Sequence, residues 1–198
     1  MRKAFPRPRS IKFGRVCIPE PAMGYYISGG APRYFTMNPL EDLLILRSDT
    51  SEFHLEKDEC TLTFHVSQIG IEYEADWGQQ LYVYNHDRGE CLAFDELSNV
   101  FDTWNFHYLF LVDYNLKRKS NAPPHNGLCF NAGDRRLIKV DLLDKNDRNH
   151  WEYIEPVPDK DERSSFAFAK QLRAYYEEMQ DRHEVCTPSI GLLGWDKY

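Results

Sequence analysis

The sequence predicts an α/β (or α+β) fold, a small mixed or parallel sheet with a crossover helix and a C-terminal amphipathic helix. Three observations carry this. Phe106 to Val112 is a nearly continuous apolar, aromatic-rich run, as expected of a strand covered on both faces. Before it, Phe94, Leu97, Val100 and Phe101 fall at spacings of three, three and one, on one face of a helix. Near the end, Phe168, Leu172, Tyr175, Tyr176 and Met179 repeat that helical spacing. A helix between two strand-like runs suggests a parallel crossover.

Taken in order, residues 1–33 read as a basic, Pro/Gly-rich N-terminal arm, and residues 34–198 as a single globular α/β domain. Pro6 and Pro8 remove backbone donors and bias their predecessors toward extended conformations, so Phe5 to Arg9 is not a continuous helix. Gly29-Gly30-Ala31-Pro32 separates the arm from Tyr34-Phe35, and Asn38-Pro39 marks a turn before the apolar run Leu43 to Leu46, a candidate buried strand. Leu62, Phe64 and Val66 alternate with polar neighbours. After a one-residue slip Ile69, Ile71 and Tyr73 do the same, as two strand segments joined by a bulge would. Leu81 to Tyr84 reads as a further short strand, then comes the helix from Phe94 to Thr103. Asn115 to Asn126, with Lys117-Arg118-Lys119 and Pro123-Pro124, reads as an exposed loop. Leu137 to Leu143 reads as another strand. The last helix is capped by Ser164 or Ser165, runs through Arg182, and is stopped by Pro188.

Charge is unevenly placed. Of the 24 Lys/Arg, seven lie in residues 1–33 with one of the 31 Asp/Glu, so the head is near +6 and the body, with 17 against 30, near −13. An acidic body repels phosphate backbones, which disfavours nucleic-acid contact except through the head. No apolar run approaches the roughly 20 residues that span a bilayer, and no secretory signal is visible. Five scattered cysteines and the absence of Asn-x-Ser/Thr argue against a disulfide scaffold. The chain therefore reads as soluble and intracellular, cytoplasmic or nuclear, with a mitochondrial address less favoured because prolines interrupt the head.

Several segments carry a family likeness. Tyr34-Phe35-Thr36-Met37-Asn38-Pro39-Leu40-Glu41-Asp42-Leu43-Leu44-Ile45-Leu46 resembles an aromatic, Asn-Pro, Asp-Thr-Leu-Tyr-Leu element of the two-EXR domain family of filamentous fungi. Val66 to Trp77 is similar to that family's Ile/Leu-Ala-Ile-acidic strand ending in Trp, and Leu97 to Tyr114 to its leucine-patterned helix and following strand. The likeness spans residues 34 to 114. The family is named for two Glu-x-Arg motifs, the first in an F-box-like segment, and this chain contains no Glu-x-Arg triplet. What the resemblance implies is an uncharacterised fungal protein, with no catalytic residues to carry over.

Several chemical constellations have an ordinary reading beside the functional one. His125-x-x-x-Cys129 and His183-x-x-Cys186 have spacings suited to two-plus-two zinc coordination, against surface histidines and buried thiols. Cys129 or Cys91 with a histidine would make a nucleophilic pair only if folding brought them together. Glu72/Glu74 and Asp141/Asp144 offer paired carboxylates, the first pair on one strand face by period two, where a solvated outer face is the ordinary explanation. Tyr25-Tyr26 and Tyr175-Tyr176 can stack bases, though helical spacing assigns the second pair to packing. No Gly-x-x-x-x-Gly-Lys, Gly-x-Gly-x-x-Gly, Gly-x-Ser-x-Gly or His-Glu-x-x-His motif occurs. The expected role is a non-catalytic protein-interaction domain with another protein, or a second copy of itself, as partner, and with no catalytic, cofactor or metal residue assigned. The alternatives are a zinc-binding or Cys/His-dependent enzyme, and nucleic-acid contact through the basic head.

Overall fold

A strand without polar interruption needs cover on both faces, and the segment after the first crossover has it. The computed structural model describes residues 21–28, 31–46, 60–61, 66–87, 91–103, 106–144, 146–159, 162–183 and 188–197. Its elements are β1 Ala22–Ser28, β2 Ala31–Met37, β3 Leu44–Leu46, β4 Cys60–Thr61, β5 Gln68–Glu72, α1 Ala75–Asp87, α2 Leu92–Thr103, β6 Tyr108–Arg118, β7 Cys129–Ala132, β8 Arg135–Val140, β9 Trp151–Tyr153, α3 Ser165–His183 and β10 Ser189–Lys197. A seven-stranded mixed sheet runs β3-β5-β6-β10-β8-β7, with β9 also pairing β6. Strands β3, β5, β6 and β10 are mutually parallel, and β8, β7 and β9 join antiparallel to their neighbours. A second sheet has the order β2-β1-β4, so β1 falls within residues 1–33.

The α/β expectation and the parallel crossover hold: β5 and β6 pair in parallel with α1 and α2 between them. Strand β6 lies inside the sheet between β5 and β10. Its Leu109 and Leu111 join the helix-covered core with Ile69, Ile71, Leu97 and Leu172, while Phe110 and Val112 join a second cluster with Leu137, Leu193 and Trp195. Phe168 of α3 ties the helical layer together. Its ring centroid lies 5.5 Å from Trp77 of α1 and 5.4 Å from Phe94 of α2. Helix α3 begins as expected, with Ser164 accepting from the Ala167 N–H at its Oγ (3.3 Å) and from the Phe168 N–H at its carbonyl (2.9 Å).

Two expectations change. Leu81 to Tyr84 is not a strand but part of α1: Trp77 and Leu81, four apart, are buried together while Val83 and Tyr84 stay exposed, so helical packing overrides the strand preference of Leu-Tyr-Val-Tyr. The loop read from Asn115 starts later, because β6 runs through Arg118. The bulge read between Val66 and Ile69 cannot be followed upstream, since 62–65 lie outside the described residues. A bend at Ser67 leads into β5, and the Ser67 carbonyl accepts from the N–H groups of His107 and Tyr108, 3.0 Å each. The Asn38-Pro39 turn forms, with the Asp42 N–H donating to the Asn38 carbonyl at 2.9 Å. Strand β3 covers Leu44–Leu46, and β8 covers Arg135–Val140 of the expected Leu137 to Leu143.

Close approach of backbones fixes the helical layer on the sheet's end. A Cβ added at Gly78 of α1 would lie 2.0 Å from the Arg163 carbonyl oxygen, which no side-chain adjustment relieves. Alanine is about 1 kcal/mol the better helix former, but the clash with backbone is worth about 1–3 kcal/mol or more. Gly78→Ala should therefore destabilise the fold, measured as a lower urea midpoint. An unchanged or higher midpoint would mean that this contact does not constrain the helix.

Candidate functional site

Strand β6 changes partner halfway along. Its residues 108–112 pair with β5 and its residues 116–118 with β9. On the other side β10 advances two residues, from Leu193 to Trp195, while β6 advances five, from Val112 to Lys117. The surplus residues form a wide bulge, and the groups it frees are met locally. The Asn115 N–H donates to Asp113 Oδ1 at 2.8 Å, the Ile154 N–H donates to the Asn115 carbonyl at 2.9 Å, and Trp195 Nε1–H donates to the Tyr114 carbonyl at 2.8 Å.

Beside the bulge lies a crevice of about 380 Å³, bordered by the ends of β5 and β9 and the first residues of α1 and α3. Asp113, 4 % exposed, is its deepest carboxylate. It accepts from the Ser165 hydroxyl and from the backbone of Asn115 and Leu116. Burial pushes its carboxyl above the usual carboxylate range, and those three bonds pull the other way. Tyr153 shares Ser165, with oxygens 3.0 Å apart, and burial raises its hydroxyl as well. Tyr73 donates to the Arg163 carbonyl (3.4 Å), and burial, aided by the Asp113 charge, raises it strongly. The Asp113–Ser165 contact lacks the base that would turn a serine into a nucleophile. These groups satisfy one another and anchor α3 to the sheet.

The carboxylate pairs found in the sequence serve turns. Strand β5 stops at Glu72, so Glu74 is not on its face: its carbonyl accepts from the Trp77 N–H (3.0 Å) at the start of α1. Burial and the charges of Asp76 and Glu72 raise the Glu74 carboxyl. Asp141 Oδ1 accepts from the Leu143 and Asp144 N–H groups, at 2.9 and 3.2 Å, and Asp144 Oδ1 accepts from that of Asn146 at 2.8 Å. The basic cluster is equally engaged. Arg118, 7 % exposed, donates to the Pro123 carbonyl and lies 4.0 Å from Asp196, while Lys119 Nζ donates to the Asn149 carbonyl at 2.8 Å.

Cys129 is exposed on β7 and Cys91 is buried before α2. His125 is half-buried ahead of β7. His183 closes α3, and its side chain and Cys186 lie outside the described residues. Among the described residues no cluster of three or more His, Cys, Asp or Glu is placed to hold a metal, and no helix is long and apolar enough to cross a membrane. Tyr176 packs under α2, with its hydroxyl 2.8 Å from Ser98 Oγ, and Tyr175 lies 5.3 Å from the Phe94 ring. Tyr25 and Tyr26 sit on β1 opposite Tyr34 and Arg33.

The sheet's other face offers a different kind of surface. Although β3 and β7 stand at opposite ends of the strand order, both line one groove of about 450 Å³. The sheet therefore curls upon itself. Buried Phe110, Val112 and Phe130 form the cluster under it, with half-buried Leu43, Ile45 and Ala132 packed against them. Gly70 permits this closeness: a Cβ there would stand 3.1 Å from Val112 and 3.2 Å from Ile45. Glu41 and Asp42 also line the groove and are exposed. Sequence reasoning did not find this site, because its residues are spread over four separate segments and signal only as core.

No family model matches the chain, and comparison with curated proteins and with solved structures gives no match.

Asp113 makes the fold pH-dependent in a stated direction. Its folded pKa is raised, so the folded state holds a proton that the unfolded carboxyl gives up near its ordinary value of about 3.9. Its contribution is fully present below that value and declines as pH rises through the higher folded one. Ser165→Ala, which removes a bond to the carboxylate, should move the decline to higher pH, and Asp113→Asn should abolish it, both read from urea midpoints between pH 3 and 8. Identical profiles in all three proteins would show that Asp113 does not titrate with folding.

Proposed function

We propose that this chain is a non-catalytic protein-interaction domain that receives its partner in the groove between β3 and β7. The resemblance of residues 34–114 to the two-EXR family is part of the same proposal, as is an intracellular setting. One observation carries the reading: a single sheet brings both of its ends to one groove, lined by Leu43, Ile45 and Phe130. The buried polar groups support it from the other side, since Asp113, Tyr73, Tyr153 and Ser165 are already bonded to protein. The groove's wall is mixed, with exposed Glu41, Asp42 and Asn131 beside Leu43, Ile45 and Ala132, as the surface of a protein interface is.

A displayed random-peptide library selected on the full chain tests this. Selected peptides should bind the parent and lose at least about ten-fold in affinity to Ala132→Arg, a half-buried edge position where a long cation fills the groove. Failure to enrich any peptide, or binding indifferent to Ala132→Arg and Ile45→Lys, would sink the proposal.

A further inference from the structure

In the connection from β6 to β7 we infer a self-modifying site: Asn126 of the folded chain closes onto the Gly127 nitrogen, loses ammonia and becomes aspartate or isoaspartate, with His125 as the base that takes the Gly127 proton. Asn126 is the chain's only asparagine followed by glycine. A residue without Cβ leaves its peptide nitrogen open to the preceding side chain and its backbone free to bend. Both residues are exposed and lie outside any helix or strand. Among the described residues, neither the Asn126 side chain nor the Gly127 N–H has a hydrogen-bond partner. Other asparagines lack this freedom. The nitrogen after Asn121 is held, with the Ala122 N–H donating to the Lys119 carbonyl at 3.1 Å, and the one after Asn146 likewise, with the Asp147 N–H donating to the Asp144 carbonyl at 3.2 Å.

The fold adds the base. Arg118 donates to the Pro123 carbonyl, and the Leu128 carbonyl accepts from the Lys139 N–H at 3.1 Å, so the segment is pinned on both sides. Pro124 stiffens what lies between. Within it the His125 ring folds over Gly127, where a Cβ would stand 2.7 Å from Nε2 and 2.8 Å from Cε1. An amide nitrogen lies about 2.5 Å from its own Cβ position, which puts Nε2 within about 5 Å of the Gly127 nitrogen, in reach through one water. That Nε2 is buried and has no hydrogen-bond partner, a condition that calls for a reason.

The chemistry needs nothing but water. Nε2 takes the Gly127 amide proton, and the nitrogen's electron pair forms a bond to Asn126 Cγ. The tetrahedral carbon then breaks its bond to Nδ2, which leaves as ammonia with the proton returned from the imidazolium. Water next adds to either carbonyl of the five-membered imide and restores the Gly127 N–H. Opening at Cγ gives aspartate. Opening at the main-chain carbonyl gives isoaspartate, which adds one carbon to the backbone ahead of β7.

The test follows the full chain during incubation at neutral pH, by fragmenting the tryptic peptide Ser120 to Arg135 in a mass spectrometer. That peptide carries Asn121, Asn126 and Asn131 together. Asn126 should convert at least about ten-fold faster than the other two and give both products. His125→Gln, folded by its urea midpoint, should convert at least about three-fold more slowly than the parent. The same substitution should have no effect in the synthetic peptide, where nothing holds the ring over glycine. Imidazole added to the buffer should restore the rate of His125→Ala, which a merely structural role would not allow. Comparable conversion at all three asparagines, or none at Asn126 while the synthetic peptide converts, overturns the site. Equal rates in the parent and His125→Gln, or equal slowing in chain and peptide, overturn the inference that the fold makes it.

Discussion

The bulge in β6 is the constraint on which the remaining architecture turns. A strand of eleven residues crosses the whole sheet, and its neighbours are too short to follow it. The changeover from β5 to β9 would leave backbone groups unpaired within the protein, at a cost of about 1–3 kcal/mol each. Asp113 removes that cost by accepting from Asn115 and Leu116, and its bond to Ser165 places the start of α3 at the same point. Helix α3 then carries Phe168 into contact with both other helices. A single buried carboxylate thus links strand exchange, helix placement and the aromatic core.

The two faces of the sheet solve the covering problem differently. One is covered by helices, whose Trp77, Leu81, Leu97, Phe168 and Leu172 reach the strands. The other is covered by the sheet's own curl, which brings β3 and β7 toward each other over Phe110 and Val112. A curled sheet that does not close keeps an edge. The groove follows from this geometry, with Phe35 and Met37 of β2 and the connecting residues Glu41 to Leu43 completing its wall.

Much of the helical layer and of the sheet's centre was legible, because long periodic segments announce themselves: α2, α3, β5, β6 and the parallel crossover all rest on apolar spacing. Strand β10 was not, and the reason is physical. Gly191 and Gly194 interrupt its pattern as breakers would, yet each makes room for an aromatic ring. A Cβ at Gly191 would lie 2.7 Å from the Phe110 ring, and one at Gly194 would lie 2.3 Å from that of Trp151. Helix α1 was misread because Leu81 to Tyr84 has a strand's composition and a helix's contacts. The basic residues after Leu116 suggested solvent, whereas Arg118 is spent on holding the following loop and Asp196. Nothing local distinguishes Asp113 from any acid that ends a strand. Its role exists only when β9 and α3 arrive from 40 and more residues downstream.

The same comparison decides where binding gains most. A polar ligand entering the crevice beside Asp113 must displace bonds that already satisfy buried oxygens, so its own hydrogen bonds return little net free energy. A partner in the groove, as proposed, covers the half-buried Leu43, Ile45 and Ala132, whose apolar side chains have no hydrogen bonds to give up. Burial of those side chains contributes on the order of 25 cal/mol for each Å² removed from water, and the exposed Glu41 and Asp42 beside them need polar partners to offset their desolvation. The crevice has little free energy left to give, because the fold has already used it to hold itself together, and that contrast is what favours the groove in the proposed reading.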